Sequence, residues 1–160
     1  MPPVTDITNR LGRNTQFDAP LPVSVDTPAI RTAFPDHLYA RWLHCCRRLM
    51  SAGYGDIVVS GYIGCAPSIA RELGPEIAFD LADAVSAIAA KTGKLEAAKF
   101  PEAALFAARK LPDQRAFRAW VNLIERFAAI ARESTLTLLD NMESLLEDLS
   151  VSQLEAWIFA

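Results

Sequence analysis

From Pro35 to the end of the chain, apolar and polar residues alternate with the period of an α-helix, and the pattern restarts at regular intervals. The clearest stripe is Phe117, Trp120, Val121, Ile124, Phe127, Ala128 and Ala131, at spacings of 3, 1, 3, 3, 1 and 3. Arg118, Asn122, Glu125, Arg126 and Arg132 take the complementary positions, so the segment predicts an amphipathic helix. A second stripe, starting near Ser134, holds Leu136, Leu139, Met142, Leu145, Leu146 and Leu149. Asp140, Glu143, Ser144 and Glu147 lie opposite it or on its flanks. Two such helices joined by a short polar link form an αα-hairpin.

The same plan recurs upstream. Ile77, Leu81, Val85 and Ile88 mark a helix that Lys91-Thr92-Gly93 ends, with Gly93 expected as its C-cap. Leu95, Phe100, Leu105 and Phe106 mark the next, where Pro101 predicts a kink or restart. Leu38, Trp42, Cys46, Leu49 and Met50 form the first stripe, broken at Gly53-Tyr54-Gly55. Residues 56–72 carry Gly61, Gly64 and Pro67, the composition least suited to a helix, and a kink or restart is expected at Pro67.

Each first helix opens alike. Phe34-Pro35-Asp36, Gly74-Pro75-Glu76 and Leu111-Pro112-Asp113 place proline where its missing N–H costs nothing, followed by an acid that favours the positive helix end. At the fourth opening Ser150 and Gln153 form a capping box instead. The steps from Pro35 to Pro75, Pro112 and Ser150 are 40, 37 and 38 residues, the period of stacked helical pairs. The expected fold is therefore all-α: αα-hairpin repeats of about 38 residues stacked as a short α-solenoid. The units are 34–72, 73–110, 111–148 and a truncated fourth, 149–160, which predicts an array cut off partway. Trp42, Leu81, Trp120 and Trp157 occupy equivalent places and are expected to form the seam between hairpins. Residues 1–33 differ. Pro2, Pro3, Pro20, Pro22 and Pro28 interrupt any period, so this part reads as an extended or disordered arm. A short turn is expected near Ile7–Leu11, and Phe17–Val25 could lie along the array as a strap.

Composition adds little chemistry. The net charge of −3 gives no electrostatic reason to expect a nucleic-acid partner. The acidity is concentrated late: residues 111–148 hold four basic and seven acidic groups, and Asp140, Glu143 and Glu147 line a ridge that could serve as an interaction surface. Met1-Pro2-Pro3-Val4-Thr5-Asp6 lacks a basic segment leading into an apolar core, and no run spans a bilayer, so a cytoplasmic protein is expected. Cys45, Cys46 and Cys65 are an odd count without framework spacing, consistent with reduced thiols. His37 and His44 lie two helical turns apart, about 10 Å, too far to share one ion. His44 beside Cys45 lacks an orienting acid for nucleophilic chemistry, and Gly53-Tyr54-Gly55 lacks the context of a phosphate loop. Arg41, Arg47 and Arg48 are expected to be solvated or paired within the array. No catalytic residue, cofactor or metal ligand is assigned.

Several stretches resemble a known family. Ser68-Ile69-Ala70-Arg71-Glu72-Leu73-Gly74 running into Ala82-Asp83-Ala84 is one. Ala116-Phe117-Arg118-Ala119-Trp120, Ile124-Glu125-Arg126, Leu145-Leu146 and Leu154-Glu155-Ala156-Trp157 are others. Over residues 34–160 they resemble the helical N-terminal region of von Willebrand factor A-domain partners of MoxR-type AAA+ ATPases, of the NorD and CbbO types. The resemblance implies a non-catalytic adaptor between an ATPase and a client enzyme of the nitric oxide reductase or Rubisco kind. It also implies a C-terminal A-domain holding a metal through Asp-x-Ser-x-Ser. Asp140-Asn141-Met142-Glu143-Ser144 has the wrong spacing for that site, so no metal role is carried over. Two other readings remain: a helical-repeat binding module unrelated to ATPases, and a small all-α enzyme or ligand carrier using His44, Cys45 and Cys65.

Overall fold

The computed structural model describes residues 20–160, which form nine helices packed together with no strand among them. The helices are α1 (Pro28–Ala33), α2 (Asp36–Ser51), α3 (Asp56–Leu73), α4 (Pro75–Lys91), α5 (Lys94–Lys110), α6 (Gln114–Ile130), α7 (Arg132–Asp140), α8 (Met142–Asp148) and α9 (Val151–Ile158). Among the described residues, no helix is long and apolar enough to cross a membrane. The expected turn near Ile7–Leu11 lies outside the described residues, as do Phe17–Ala19 of the expected strap.

Contacts sort the helices into two sets. α2 packs on α4, α4 on α6 and α6 on α9, while α3 packs on α5 and α5 on both α7 and α8. Neighbours in sequence also touch, from α2·α3 through α6·α7.

The recurring proline–acid opening works in three different registers. Pro35 is the N-cap of α2, its carbonyl accepting from the Leu38 N–H at 2.8 Å. Pro75 is the first residue of α4, preceded by Gly74, whose φ of +100° lets the chain reverse directly out of α3. At the third opening Asp113 itself is the cap, accepting from the Ala116 N–H at 2.9 Å. The fourth opening forms the expected capping box, Ser150 Oγ accepting from the Gln153 N–H and Gln153 Oε1 from the Ser150 N–H.

Four expectations need correction. Of the kink or restart expected at Pro67 and Pro101, the restart does not occur: α3 and α5 run through, with both prolines buried. A proline inside a helix costs about 3 kcal/mol, which burial against neighbouring helices offsets here. Gly93 is not the C-cap of α4; Thr92 is, and Gly93 caps α5 from its N-terminal side. The helix expected from Ser134 to Leu149 begins at Arg132 and splits at Asn141, whose side-chain amide donates to the Thr137 carbonyl at 2.8 Å. That local bond competes with continued helix. Finally, the described part of the N-terminal arm is neither extended throughout nor loose.

Residues 20–34 instead form a docked strap ending in α1. Thr27 caps α1, and Ile30, Ala33 and Phe34 are buried. The Val25 carbonyl accepts from the Tyr39 hydroxyl at 2.9 Å and from Trp42 Nε1 at 3.3 Å. Phe34 stacks on Trp42 at 4.5 Å and on Phe79 at 5.4 Å. Arg31 pairs with Asp26 and covers the Tyr39 ring.

One of the two glycines that make α3 a poor helix by propensity, Gly61, is explained by its partner. A Cβ at Gly61 would lie 2.8 Å from the Ala98 carbonyl oxygen, so α3 and α5 approach at backbone distance. At Gly64 a Cβ would meet nothing within 4 Å.

Trp42 and Trp120 are both fully buried, but they differ in polarity balance. The Trp120 Nε1 finds no acceptor among the described residues. Phenylalanine at either position leaves a similar void, but only at 42 does it remove a hydrogen bond. The Val25 carbonyl keeps its bond from the Tyr39 hydroxyl, so Trp42→Phe should lose about 0.5–1.5 kcal/mol more than Trp120→Phe in urea unfolding; equal losses would contradict the assigned bonding. Gly61→Ala and Gly64→Ala each gain about 1 kcal/mol of helix propensity. Overpacking costs about 1–3 kcal/mol, so Gly61→Ala should lower the melting temperature and Gly64→Ala raise it. A rise for both would refute the close approach of α3 and α5.

Candidate interaction surface

Trp42, Leu81 and Trp120 are each the seventh residue of their helix, and they are 0%, 1% and 0% exposed. Trp42 stacks on Tyr62 of α3 at 5.5 Å, and Trp120 on Phe100 of α5 at 5.8 Å. The Tyr62 hydroxyl donates to the Ala78 carbonyl of α4 at 2.7 Å, tying three helices together. Trp157 is also the seventh residue of its helix, but it is 39% exposed and does not join this seam. α9 turns Leu154 and Ile158 inward instead. Its principal helix contact is α6, so one apolar flank remains in solvent.

The outward faces of α2, α4 and α6 are laced together by ion pairs. Arg41 grips Glu76 through both guanidinium nitrogens, at 2.7 and 3.2 Å, with its guanidinium 4.3 Å from the Phe79 ring centre. Arg48 donates to Asp83 at 2.7 Å, and Arg118 to Asp80 at 3.0 Å. Lys91 of α4 lies 3.7 Å from Glu125 of α6. The Arg41 guanidinium holds the Glu76 carboxyl below the usual carboxylate range by its hydrogen bond. Arg41 and Arg48 are thus paired within the helical stack, as expected. Their partners escaped notice in the sequence, although Arg41–Glu76 and Arg48–Asp83 share one separation, 35 residues.

Two grooves run along this face. The first, between α2 and α4, is bridged by Arg41 and Arg48 and has His44, Cys45 and Phe79 in its lining. The second, between α4 and α6, has a volume of about 290 Å³. Ile77, Leu81 and Phe117 form its apolar floor, and Asp80, Asp83 and Glu125 rim it. Arg118 and Asn122 complete that rim.

The acidic ridge expected at Asp140, Glu143 and Glu147 is faced by cations. Lys99 of α5 lies 3.5 Å from Asp140. Glu143 and Glu147 share a groove with Arg109 and Lys110 of α5. The ridge is thus one wall of a charge-matched groove.

Burial pushes the Cys45 and Cys46 thiols up, and Cys65 to about 11, so all three stay protonated near neutral pH. Cys65 lies near Glu102 and Arg109 of α5, while His44 and Cys45 line the α2–α4 groove. Cys65 is not among the residues that line the groove holding His44 and Cys45. Among the described residues, no group of three or more histidine, cysteine or acidic side chains could hold a metal ion.

Comparison with family models, with curated proteins and with solved structures gave no match to this chain.

Proposed function

We propose that this chain is a non-catalytic, cytoplasmic protein-interaction scaffold built as an α-solenoid of αα-hairpins. In this reading α2–α3, α4–α5 and α6 with α7–α8 are successive units, and α9 opens a fourth. The observation that carries it is the recurrence of one buried position. The seventh residues of α2, α4 and α6 are Trp42, Leu81 and Trp120, and these helices pack in sequence order. Stacked pairs of this kind present long, continuous surfaces suited to holding a protein partner.

The specific role we propose is the helical adaptor part of a von Willebrand factor A-domain protein that couples a MoxR-type AAA+ ATPase to a client enzyme. Support for it is the sequence resemblance across residues 34–160. A helical-repeat binding module unrelated to ATPases is the alternative, and it uses the same surfaces.

Co-expression with the MoxR-type ATPase of the same genome, followed by affinity purification, separates the two. The adaptor reading expects co-elution with the ATPase hexamer and a changed rate of ATP hydrolysis. Absence of both refutes that reading and leaves the generic module.

A further inference from the structure

We propose that the edge of α2 carrying Tyr39 and Trp42 is a binding site for a proline-containing segment of a partner protein. In the free protein, residues 20–26 of the same chain fill it. The site is built from two side-chain donors and an apolar bed. The Tyr39 hydroxyl and Trp42 Nε1 converge on one main-chain acceptor, the Val25 carbonyl, at 2.9 and 3.3 Å. Leu21 and Val25 lie half-buried against the core, while Pro20, Val23, Ser24 and Asp26 are exposed. What the site holds is therefore a main-chain carbonyl and two apolar side chains four residues apart, a pattern that other sequences can supply. Pro20 and Pro22 fix their own φ, which lowers the entropy lost on docking. Aromatic-lined grooves are a recurring means of holding proline-rich segments.

The strap is held in a way that allows exchange. Among the described residues, no backbone–backbone hydrogen bond ties residues 20–26 to the helices. Asp26 adds an ion pair to Arg31 at 2.7 Å, between side chains exposed enough for solvent to screen it. The chain is pinned separately just beyond. Thr27 Oγ1 accepts from the Ile30 N–H at 3.2 Å, and Ile30, Ala33 and Phe34 are buried. Residues 20–26 can thus swing away about Thr27 without unseating α1. The site keeps its shape when they do. Arg31 retains Asp36 at 3.4 Å and its place over the Tyr39 ring, and Trp42 retains its stacks on Phe34 and Tyr62. An empty site leaves the Tyr39 and Trp42 donors without the Val25 acceptor and the apolar bed uncovered. A partner's segment of the same kind restores both.

A partner's segment as ligand rests on the chain being a protein-binding module, but not on which protein it binds. The test is an NMR titration of the ¹⁵N-labelled 160-residue chain carrying Leu21→Asp and Val25→Asp, which loosen the strap. The probe is the capped peptide Ala-Leu-Pro-Ala-Ala-Val-Ala, with Ala-Asp-Pro-Ala-Ala-Asp-Ala as control. The probe is expected to move the Trp42 indole N–H resonance saturably and leave that of Trp120 in place, while the control moves neither. The unaltered chain should bind the probe at least about tenfold more weakly, because its own strap competes at high effective concentration. Tyr39→Phe in the loosened chain removes one donor and should weaken binding about fivefold. No binding by the loosened chain, binding that leaves the Trp42 indole unmoved, or equal affinity of both chains would overturn the proposal. So would a concentration-dependent dimer of the unaltered chain with straps exchanged between copies. Should the loosened chain fail to fold, hydrogen exchange of the unaltered chain decides. Its Trp42 indole N–H is expected to exchange through local opening, and exchange only through global unfolding would overturn the proposal. Capture of an AAA+ ATPase by a loosened chain that ignores the probe would overturn the peptide site and leave the adaptor reading intact, so the two can fail separately.

Discussion

The contact on which the rest of the structure depends is the backbone-distance approach of α3 to α5 at Gly61 and Ala98. Helix axes ordinarily pack 8–10 Å apart, set by the side chains between them. With glycine on one side and a carbonyl on the other, this pair sits closer. Both helices also bury small residues, Ala66 and Ala70 in α3 and Ala97, Ala103, Ala104 and Ala107 in α5. Buried alanines remove little apolar area each, so the gain comes from close packing and dispersion over the length of both helices. With α3 and α5 fixed, the first helices lie across them, and their large side chains fill the space between. Trp42 against Tyr62 and Trp120 against Phe100 are the two places where ring stacks bridge the helix sets.

This division of labour gives the outward face its character. The apolar area is used at the seventh positions and in the α3–α5 seam, which leaves the outer turns of α2, α4 and α6 free to be polar. The Arg41–Glu76, Arg48–Asp83 and Arg118–Asp80 pairs are substantially exposed, so solvent screens them and they contribute little to stability. Such pairs favour one register of the helices more than they add stability.

Periodicity made the first helices legible because it records burial directly: Phe117, Trp120, Ile124 and Ala128 are all buried, as their spacing requires. Capping was legible only in kind. The same proline–acid pair places proline at the N-cap in α2, at the first turn in α4 and ahead of the cap at Asp113, and the following turn decides which. The second helices were hard to read, because propensity penalises Gly61, Pro67 and Pro101, whereas the tertiary fit rewards small or rigid groups there. Trp157 shares the helical position of Trp120, but its burial depends on what packs beside α9. No pattern within one helix carries that information.

If the α3–α5 approach is the keystone, native-state hydrogen exchange should find it. The slowest amides are predicted to lie in the middle of α3 and α5, exchanging only through global unfolding, with α9 and α1 opening at lower free energy. Amides of α9 or α1 as protected as those around Gly61 and Ala98, or faster exchange in α3 and α5 than in α6, would contradict the account.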